Sequence, residues 1–382
     1  MTPDNSRRDP LSHIIGTCSA QICGIGTTIL SPLIIGGLIV GLNIGEMEAG
    51  GLVTIELVMI AFTSLGLAPF MHRIPHHLLA IGGASLLLIA NLFSAFQPSL
   101  EGLYLWRILA GAGTGCVIAT FNAAIAGAAS PVKLYGYGSA AAYTVTSIIA
   151  VTMTSMRDVI TYNYVYSWLG AALVVFIPLL WFLPRQGGQA ISISLPRESI
   201  LSGCMLLVAL TTIGIAMMAY YAFLERIAVL IGASAAQTGQ VVAAAQVAGM
   251  FGGLLAAPLA ARFKLINTLV TVVLLHALAI VLAIASVSFY LLLLTAFIEA
   301  LLFIIMAPLM FTLAAYLDDK GRWAAAAGGV FILSTAIGPI VGALLIEKSG
   351  YTAISWLQLV VAVPAIVLFT VVNRTTEKET KS

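Results

Sequence analysis

The sequence predicts an all-α polytopic membrane protein in which twelve transmembrane helices form two parallel six-helix repeats. Three observations lead to this fold class: an apolar composition, a series of hydrophobic runs of membrane-spanning length, and an internal repeat. Hydrophobic residues make up 60% of the 382 positions and charged residues only 8%, whereas soluble domains are roughly 25% charged. A chain this apolar needs lipid as its solvent, and in lipid a helix satisfies its own backbone hydrogen bonds.

Apolar runs of about 20 residues, the length that an α-helix needs to cross a bilayer, follow one another along the whole chain. Runs one to six form an N-terminal half, 13–183, and runs seven to twelve a C-terminal half, 199–372. Run seven is too long for one upright span, so we expect it to tilt or bend. The twelve runs lie near 13–41, 47–70, 78–97, 102–127, 135–156, 162–183, 199–231, 237–260, 266–287, 289–314, 323–346 and 351–372.

Short polar segments separate and flank the two halves. An N-terminal tail covers 1–12, and a C-terminal tail, 373–382, is predicted to be disordered because it is short and polar. The connector between the halves, 184–198, has Pro and Gly at its start. Six spans per half is an even number, so both halves cross the membrane in the same direction as parallel repeats.

The internal repeat is clearest between residues 50–73 and 239–262. Both segments end in Pro and then Arg at the same distance, since Pro69 aligns with Pro258 and Arg73 with Arg262. A fixed internal period is the signature of a repeated structural unit. The repeat does not extend to charge, because the position of Glu56 is Ala in the second copy.

The distribution of basic residues predicts the orientation. With the N-terminus inside the cell, the cytoplasmic segments contain most of the 17 Lys and Arg residues. By the positive-inside rule, both termini are therefore cytoplasmic and the protein lies in the cytoplasmic (inner) membrane. These basic residues are Arg7, Arg8, Arg73, Lys133, Arg185, Arg197, Arg262, Lys264, Lys320, Arg322, Arg374, Lys378 and Lys381.

Charged residues inside the spans are the sharpest functional signal, because a charge at mid-helix costs on the order of 2.5–3.5 kcal/mol on insertion scales. Glu299 lies near the middle of span ten, and it carries a proton or acts as a structural, neutral carboxylic acid. Glu56 in span two and Arg107 in span four lie at similar depths. They form either a structural ion pair or a proton or substrate site. Glu225 is a further candidate near the outer end of span seven.

Two motifs resemble those of the major facilitator superfamily. The loop GLAPFMHRIPHH, Gly66–His77, is similar to the family's Gly-x-Leu-Ala-Asp-Arg-x-Gly-Arg-Arg motif, with Arg73 at the first Arg and His72 at the acidic position. Span four carries Leu103-x-x-x-Arg107-x-x-x-Gly111-x-Gly113, which resembles a motif of proton-coupled members, where the arginine is implicated in proton transfer or substrate binding. Arg262 closes the corresponding loop of the second repeat. The resemblance covers the whole chain.

The resemblance implies that spans one, four, seven and ten line a central cavity. Polar residues at helical spacing mark one stripe on each of the first three of these spans. The candidate lining residues are Thr17, Gln21, Thr28, Thr114, Asn122 and Thr211. His276, in span nine, is expected to pack at the periphery rather than to relay protons.

Glycines spaced four apart recur in the spans and predict close helix–helix packing, with static packing favoured over a sliding, gating contact. Such pairs are Gly37/Gly41, Gly111/Gly115, Gly249/Gly253 and Gly338/Gly342. All four cysteines fall in or at the edge of apolar spans without metal-binding spacing, so neither a disulfide nor a metal is expected.

The sequence therefore predicts a secondary active transporter for a small organic solute, working by alternating access, and not an enzyme. Proton coupling is favoured because a buried carboxylate can change charge as its access to solvent switches. The fifth-span motif of antiporters is absent, which favours symport and uptake; proton-driven efflux of amphipathic compounds is the alternative, and a non-transporting receptor a third. The expected partners are the solute, protons and the lipid bilayer, with no nucleic acid, no cofactor and a monomeric state.

Overall fold

The computed structural model describes residues 10–129, 131–184, 200–317 and 322–379. Within these ranges the regular secondary structure is entirely helical. The connector 184–198, except for Pro184, lies outside the described residues, as do residues 1–9 of the N-terminal tail.

A helical segment covers each of the twelve predicted apolar runs. Short 3-10 segments, Ala68–Phe70 and Ile177–Phe182, extend α3 and α7. The helices are α1 (Leu11–Ile29), α2 (Ser31–Leu42), α3 (Glu46–Leu67), α4 (His76–Phe96), α5 (Leu100–Ala126), α6 (Pro131–Ser155), α7 (Tyr162–Phe176), α8 (Ile200–Tyr221), α9 (Leu224–Leu230), α10 (Ala235–Arg262), α11 (Leu265–Ile284), α12 (Phe289–Ala315), α13 (Arg322–Ser349) and α14 (Thr352–Glu379).

Most of these helices could cross a bilayer. In the part of the chain that the structure describes, nine helical segments have the necessary length and composition, and the bent pair α1–α2 could make a tenth span. The other two runs correspond to α6 and α10, which have 25 and 28 residues. The C-terminal tail differs from the prediction of disorder, because α14 continues to Glu379. Its Thr-Glu-Lys-Glu sequence contains good helix formers, so the helix can extend past the apolar run.

Two of the predicted spans are broken helices. The first bends by 48° between α1 and α2, where Pro32 stands in the first turn of α2 and lacks the backbone N–H that a continuous helix would use. The seventh run breaks between α8 and α9, as its excess length predicts. There the Ala222 N–H donates to the Met218 carbonyl, but the Phe223 N–H donates to Tyr220, which tightens the last turn.

The described residues of the chain form two compact units, whose ranges also include the undescribed positions. The first unit comprises Met1–Asn43, Ile55–Met153 and Ile160–Ile191, and the second Ile44–Thr54, Thr154–Val159 and Ser192–Ser382. The start of α3 therefore belongs to the second unit and the rest of it to the first.

In the first unit, α4 packs against both α5 and α7, while α1 packs against α5 and α2 against α7. The buried core between these helices contains Leu87, Val117, Phe121 and Leu173. In the second unit, α8 packs against α13 and α14, and α12 against α10 and α11. Large side chains, among them Trp323 and Phe369, fill that core. Each unit thus has its own interior in which a polar side chain can be withdrawn from lipid.

Three of the four glycine pairs predicted from the sequence lie at close helix contacts: Gly37/Gly41, Gly111/Gly115 and Gly338/Gly342. A Cβ atom on Gly111 would come within 2.4 Å of the Glu56 carbonyl oxygen, and one on Gly115 within 2.9 Å of the Ile60 oxygen. In the second unit, Gly338 and Gly342 approach the backbone of α8 in the same way. Main-chain atoms of a neighbouring helix lie close to each of these four glycines, so an added methyl group has little room. That the contacts are static rather than gating stays a prediction.

Gly111→Ala is expected to destabilise the protein by about 1–3 kcal/mol, the usual cost of forcing an extra methyl group into a packed interior. The matched control is Gly82→Ala in α4, since no atom lies within 4 Å of a Cβ built there. That change should be neutral or stabilising by up to about 1 kcal/mol, because alanine is the better helix former. Detergent-micelle unfolding of both variants measures the difference, and equal stabilities would contradict a rigid α3–α5 contact.

Candidate functional site

Arg107 and Glu56 form a buried ion pair in the first unit. Arg107 Nη1 lies 3.3 Å from Glu56 Oε2, and the two side chains are 1% and 0% exposed. Arg107 Nη2 donates to the Ala90 carbonyl at 3.1 Å and to Ser94 Oγ at 2.6 Å. The guanidinium carbon lies 4.0 Å from the centroid of the Tyr166 ring.

The surroundings of this pair suit a fixed charge. Arginine does not deprotonate in proteins, so the Glu56 carboxylate always has a cation beside it. The contacts to α4 and the aromatic face of Tyr166 on α7 hold the guanidinium between four helices. Of the two alternatives left open by the sequence, this geometry favours the structural ion pair.

Glu299 and His276 form the corresponding pair in the second unit. His276 Nε2 and Glu299 Oε1 lie 3.0 Å apart, and the side chains are 5% and 3% exposed. Glu299 stands on α12, whose first turn is capped by the Ser288 hydroxyl accepting from the Leu291 N–H. The His276 ring on α11 also lies near the aromatic ring of Phe303. The pair is thus enclosed between two neighbouring helices.

Tyr220 on α8 adds a third polar group near Glu299. Its side chain is fully buried, and it lies close enough to Glu299 for the two to interact electrostatically. Among the described residues, no hydrogen-bond partner is within reach of its hydroxyl. A buried hydroxyl without a partner is costly, so Tyr220 is a polar group whose hydrogen bond is not met in this arrangement of the helices.

The two pairs differ in what they can do chemically. Histidine is the side chain that changes charge near neutral pH, whereas arginine keeps its charge. One proton shared between Glu299 and His276 leaves the pair with no net charge, whichever residue carries it. Adding or removing one proton gives a buried net charge, which a low-dielectric interior disfavours. The second pair thus contains side chains that can exchange a proton, whereas the first contains a permanent cation.

His276 was predicted to pack at the periphery, and its contact with Glu299 was not predicted. The signal was present in the sequence. Helices α11 and α12 are joined by the short turn 285–288, and His276 and Glu299 stand at nearly equal distances on either side of it. In an antiparallel helix pair, residues equidistant from the turn lie at the same depth.

Glu225, the fourth charged candidate, lies on α9, outside the candidate spans. Its carboxylate accepts hydrogen bonds of 2.5 and 2.6 Å from the neighbouring Arg226. Burial raises the pKa of the Glu225 carboxyl, and Arg226 opposes this rise. In the same unit, the Tyr351 hydroxyl donates to Glu46 Oε1 at 3.2 Å. Arg226 also interacts electrostatically with Tyr351 and Glu46, so Glu225 belongs to a polar cluster with them.

The loop-motif residues are on the surface. Arg73 and His72 are exposed, and Arg73 Nε donates to His72 Nε2 at 3.0 Å. A neutral imidazole that accepts this bond occupies the position of the motif's acid. Arg262 is exposed at the end of α10, with its guanidinium 6.0 Å from the Phe263 ring centroid.

The six candidate lining residues have different environments. Thr17, Gln21 and Thr114 are buried, Thr28 and Thr211 are half-buried, and Asn122 is exposed. The Thr211 hydroxyl donates to the Leu207 carbonyl of its own helix. Their role as cavity-lining residues stays a prediction.

Over the residues described, no group of three or more His, Cys, Asp or Glu side chains could hold a metal ion.

Comparison with known protein families gives a match over the C-terminal part of the chain. Residues 204–382 match the sequence profile described as the Major Facilitator Superfamily. The search of curated proteins gave no match.

Several solved structures share the fold. The nucleoside transporter NupG, solved as a point mutant, superposes with a TM-score of 0.73 at 12% identity, covering 96% of this chain and 99% of that one. A bacterial homologue of the human lysosomal transporter Spinster, inward-facing and unoccupied, gives 0.70 at 13% identity, with 96% and 97% covered. A D-xylose–proton symporter gives 0.69 at 15% identity, with 94% and 96% covered. At these identities, the likeness shows the fold alone.

Proposed function

We propose that this chain is a transporter of the major facilitator superfamily, coupled to protons, that moves a small organic solute across the membrane by alternating access. The match of residues 204–382 to the family profile and the shared fold of solved transporters support the family. Symport and uptake are the favoured direction. The proposal rests chiefly on one observation, the buried Glu299–His276 pair.

A proton-coupled transporter needs a group that binds a proton in one state and releases it in another. Glu299 and His276 are our candidates for this group, since they lie midway along two candidate spans and their side chains are 3.0 Å apart in a buried site. Tyr220 interacts electrostatically with Glu299 and its hydroxyl has no partner among the described residues, so we propose that it donates to Glu299 in a second arrangement of the helices, in place of His276. Protonation would then be coupled to a change in how the helices α8, α11 and α12 pack.

The substrate class is a small organic molecule of mixed polarity. The threonine, glutamine and asparagine residues on the predicted lining stripes can hydrogen-bond hydroxyl or amide groups, and the apolar positions between them fit a hydrocarbon face. Two proteins with the same fold, a nucleoside transporter and a D-xylose–proton symporter, are in line with such a solute.

Proton-driven efflux is the second candidate, and the sign of the coupling separates it from uptake. With the protein in liposomes, an inward proton gradient should drive a symported solute inward. The same gradient would drive an antiported solute outward. We also propose that the protein is a monomer in the cytoplasmic membrane with both termini cytoplasmic, as its basic residues predict. Labelling of single cysteines placed in the polar loops, from each side of the membrane, tests that orientation.

His276→Gln is expected to keep a hydrogen bond to Glu299 but to lose the response of transport to pH. Glutamine can donate from its amide, yet it does not take up a proton between about pH 5 and 8, where histidine titrates. Initial uptake rates in liposomes, measured across that range with and without a proton gradient, provide the test. His72→Gln is the matched control, because that histidine is exposed and contacts only a loop arginine among the bonds described. A pH profile identical to that of the wild type would remove His276 from the mechanism.

A further inference from the structure

The first unit contains a small cavity that the proposed transport site does not use. The cavity has a volume of about 20 Å³ and lies between α1, α4, α6 and α7. Most of its wall is apolar, including Leu87, Ile149 and Leu173. Three polar side chains also reach it: Thr27, Asn91 and Thr146.

Asn91 is the residue that gives this cavity a chemical requirement. Its side chain is 1% exposed, and among the described residues no donor is within hydrogen-bonding distance of Oδ1. The Thr146 hydroxyl does not meet the need, because it donates to the Ala142 carbonyl at 2.7 Å. A buried amide oxygen without a donor is strongly disfavoured, and buried polar groups of this kind are commonly satisfied by an internal water.

Thr27 connects the cavity to the Arg107–Glu56 ion pair. Its side chain is buried and lies near the Glu56 carboxylate, to which Arg107 donates. A threonine hydroxyl has lone pairs that can accept a hydrogen bond. Thr27 can therefore accept from a donor in the cavity at a position beside the ion pair.

We propose that this cavity is a binding site for one water molecule, which donates to Asn91 Oδ1 and to Thr27 Oγ1. The volume supports a single water, since a buried water needs roughly 10–15 Å³ of such space and two to four polar partners. The water extends the hydrogen-bond network of the ion pair from α3, α4 and α5 to the wall of the cavity. Through the water and Thr27, Asn91 is thus connected to the Arg107–Glu56 pair, although no described hydrogen bond joins Asn91 to Arg107.

The lining favours water over a metal cation. Hard cations take several oxygen ligands, usually with carboxylates among them. This cavity presents three side-chain oxygens and no carboxylate in its wall. A cation there would add a charge to a mostly apolar interior, whereas a water adds none.

The test uses the full-length protein in lipid nanodiscs and does not depend on proton coupling. A density map in which ordered waters are resolved should show one peak within hydrogen-bonding distance of Asn91 Oδ1 and Thr27 Oγ1. The proposal is overturned if the map shows no peak there, or shows Asn91 Oδ1 bonded to a protein donor.

Radiolytic hydroxyl-radical labelling gives a second measurement. Radiolysis converts a bound water into a hydroxyl radical, which oxidises the side chains next to it. Buried Cys23 and neighbouring Phe176 line the cavity and should label in the wild type. They should lose most of that labelling in Asn91→Leu and in Thr27→Val. Thr212→Val, the same change at a threonine bonded within its own helix in the second unit, should leave it unchanged. Equal labelling in all variants contradicts the proposal. A melting temperature that rises when sodium chloride replaces choline chloride also contradicts it, because that rise would indicate a cation site.

Discussion

Glu299→Gln is expected to abolish accumulation of the solute by a proton gradient while leaving solute exchange across the membrane in place. Glutamine keeps the size of the side chain and a hydrogen bond to His276, but it does not carry a proton. A transporter that cannot release or take up the proton loses its coupling to the proton gradient. The solute should therefore reach only equal concentrations inside and outside the liposome, and all gradient-driven uptake should be lost. Exchange of labelled for unlabelled solute needs no net proton movement and should persist.

Proteoliposomes with an imposed pH gradient measure both activities on the same preparation. Glu347→Gln is the control, since it makes the same chemical change at an exposed position of α13 in the same unit. If Glu299→Gln still accumulates solute as the gradient predicts, Glu299 is a structural acid and the proposed coupling site is wrong. If exchange is also lost, the folded state of the variant must be checked by its melting temperature before the loss is assigned to the solute site.

The fold follows closely from the sequence because the membrane imposes a simple rule. A run of about 20 apolar residues must become a helix that satisfies its own backbone, and all twelve runs do so. The break at Leu30 is local too, since Pro32 removes a donor at that point. The helical state of residues 373–379 was not predicted, because charge alone indicated a solvated tail and the helix-forming tendency of Glu and Lys was not weighed.

The candidate site was predictable only in part. The charged residues stood out because their burial in lipid is costly, but their partners depend on how each helix is rotated about its axis. Ser94 and the Ala90 carbonyl reach Arg107 from α4, a contact that no spacing within one span reveals. His276 was within reach of prediction through its distance from the α11–α12 turn. Tyr220 was not, because α8 is remote in sequence from both.

The two buried pairs break the symmetry of the repeat in a way that suggests a division of roles. Each unit buries one carboxylate beside one basic side chain, but the first uses arginine and the second histidine. A permanent charge pair cannot change state over the physiological pH range, and a carboxylate–imidazole pair can. We therefore expect the first pair to hold its unit together and the second to respond to protons.

Arg107→Met is expected to lower the free energy of unfolding by about 3–5 kcal/mol, because it leaves the Glu56 carboxylate buried without its cation. The double variant Glu56→Gln with Arg107→Met removes both charges, and replacing a whole buried pair is often neutral or stabilising. The double variant should therefore recover most of the stability that the single variant loses. Unfolding in mixed micelles measures all three changes, including Glu56→Gln alone.

Transport by the double variant then decides the role of the pair. If the pair is structural, the double variant should transport at a rate close to that of the wild type, since fold and Glu299 are intact. A stable double variant that does not transport would assign Arg107 or Glu56 a direct part in binding solute or protons. A double variant as unstable as Arg107→Met would show that Ser94, Ala90 and Tyr166, rather than Glu56, are what the guanidinium stabilises. Because additive effects are the rule for independent sites, the interaction energy from this cycle measures the ion pair itself.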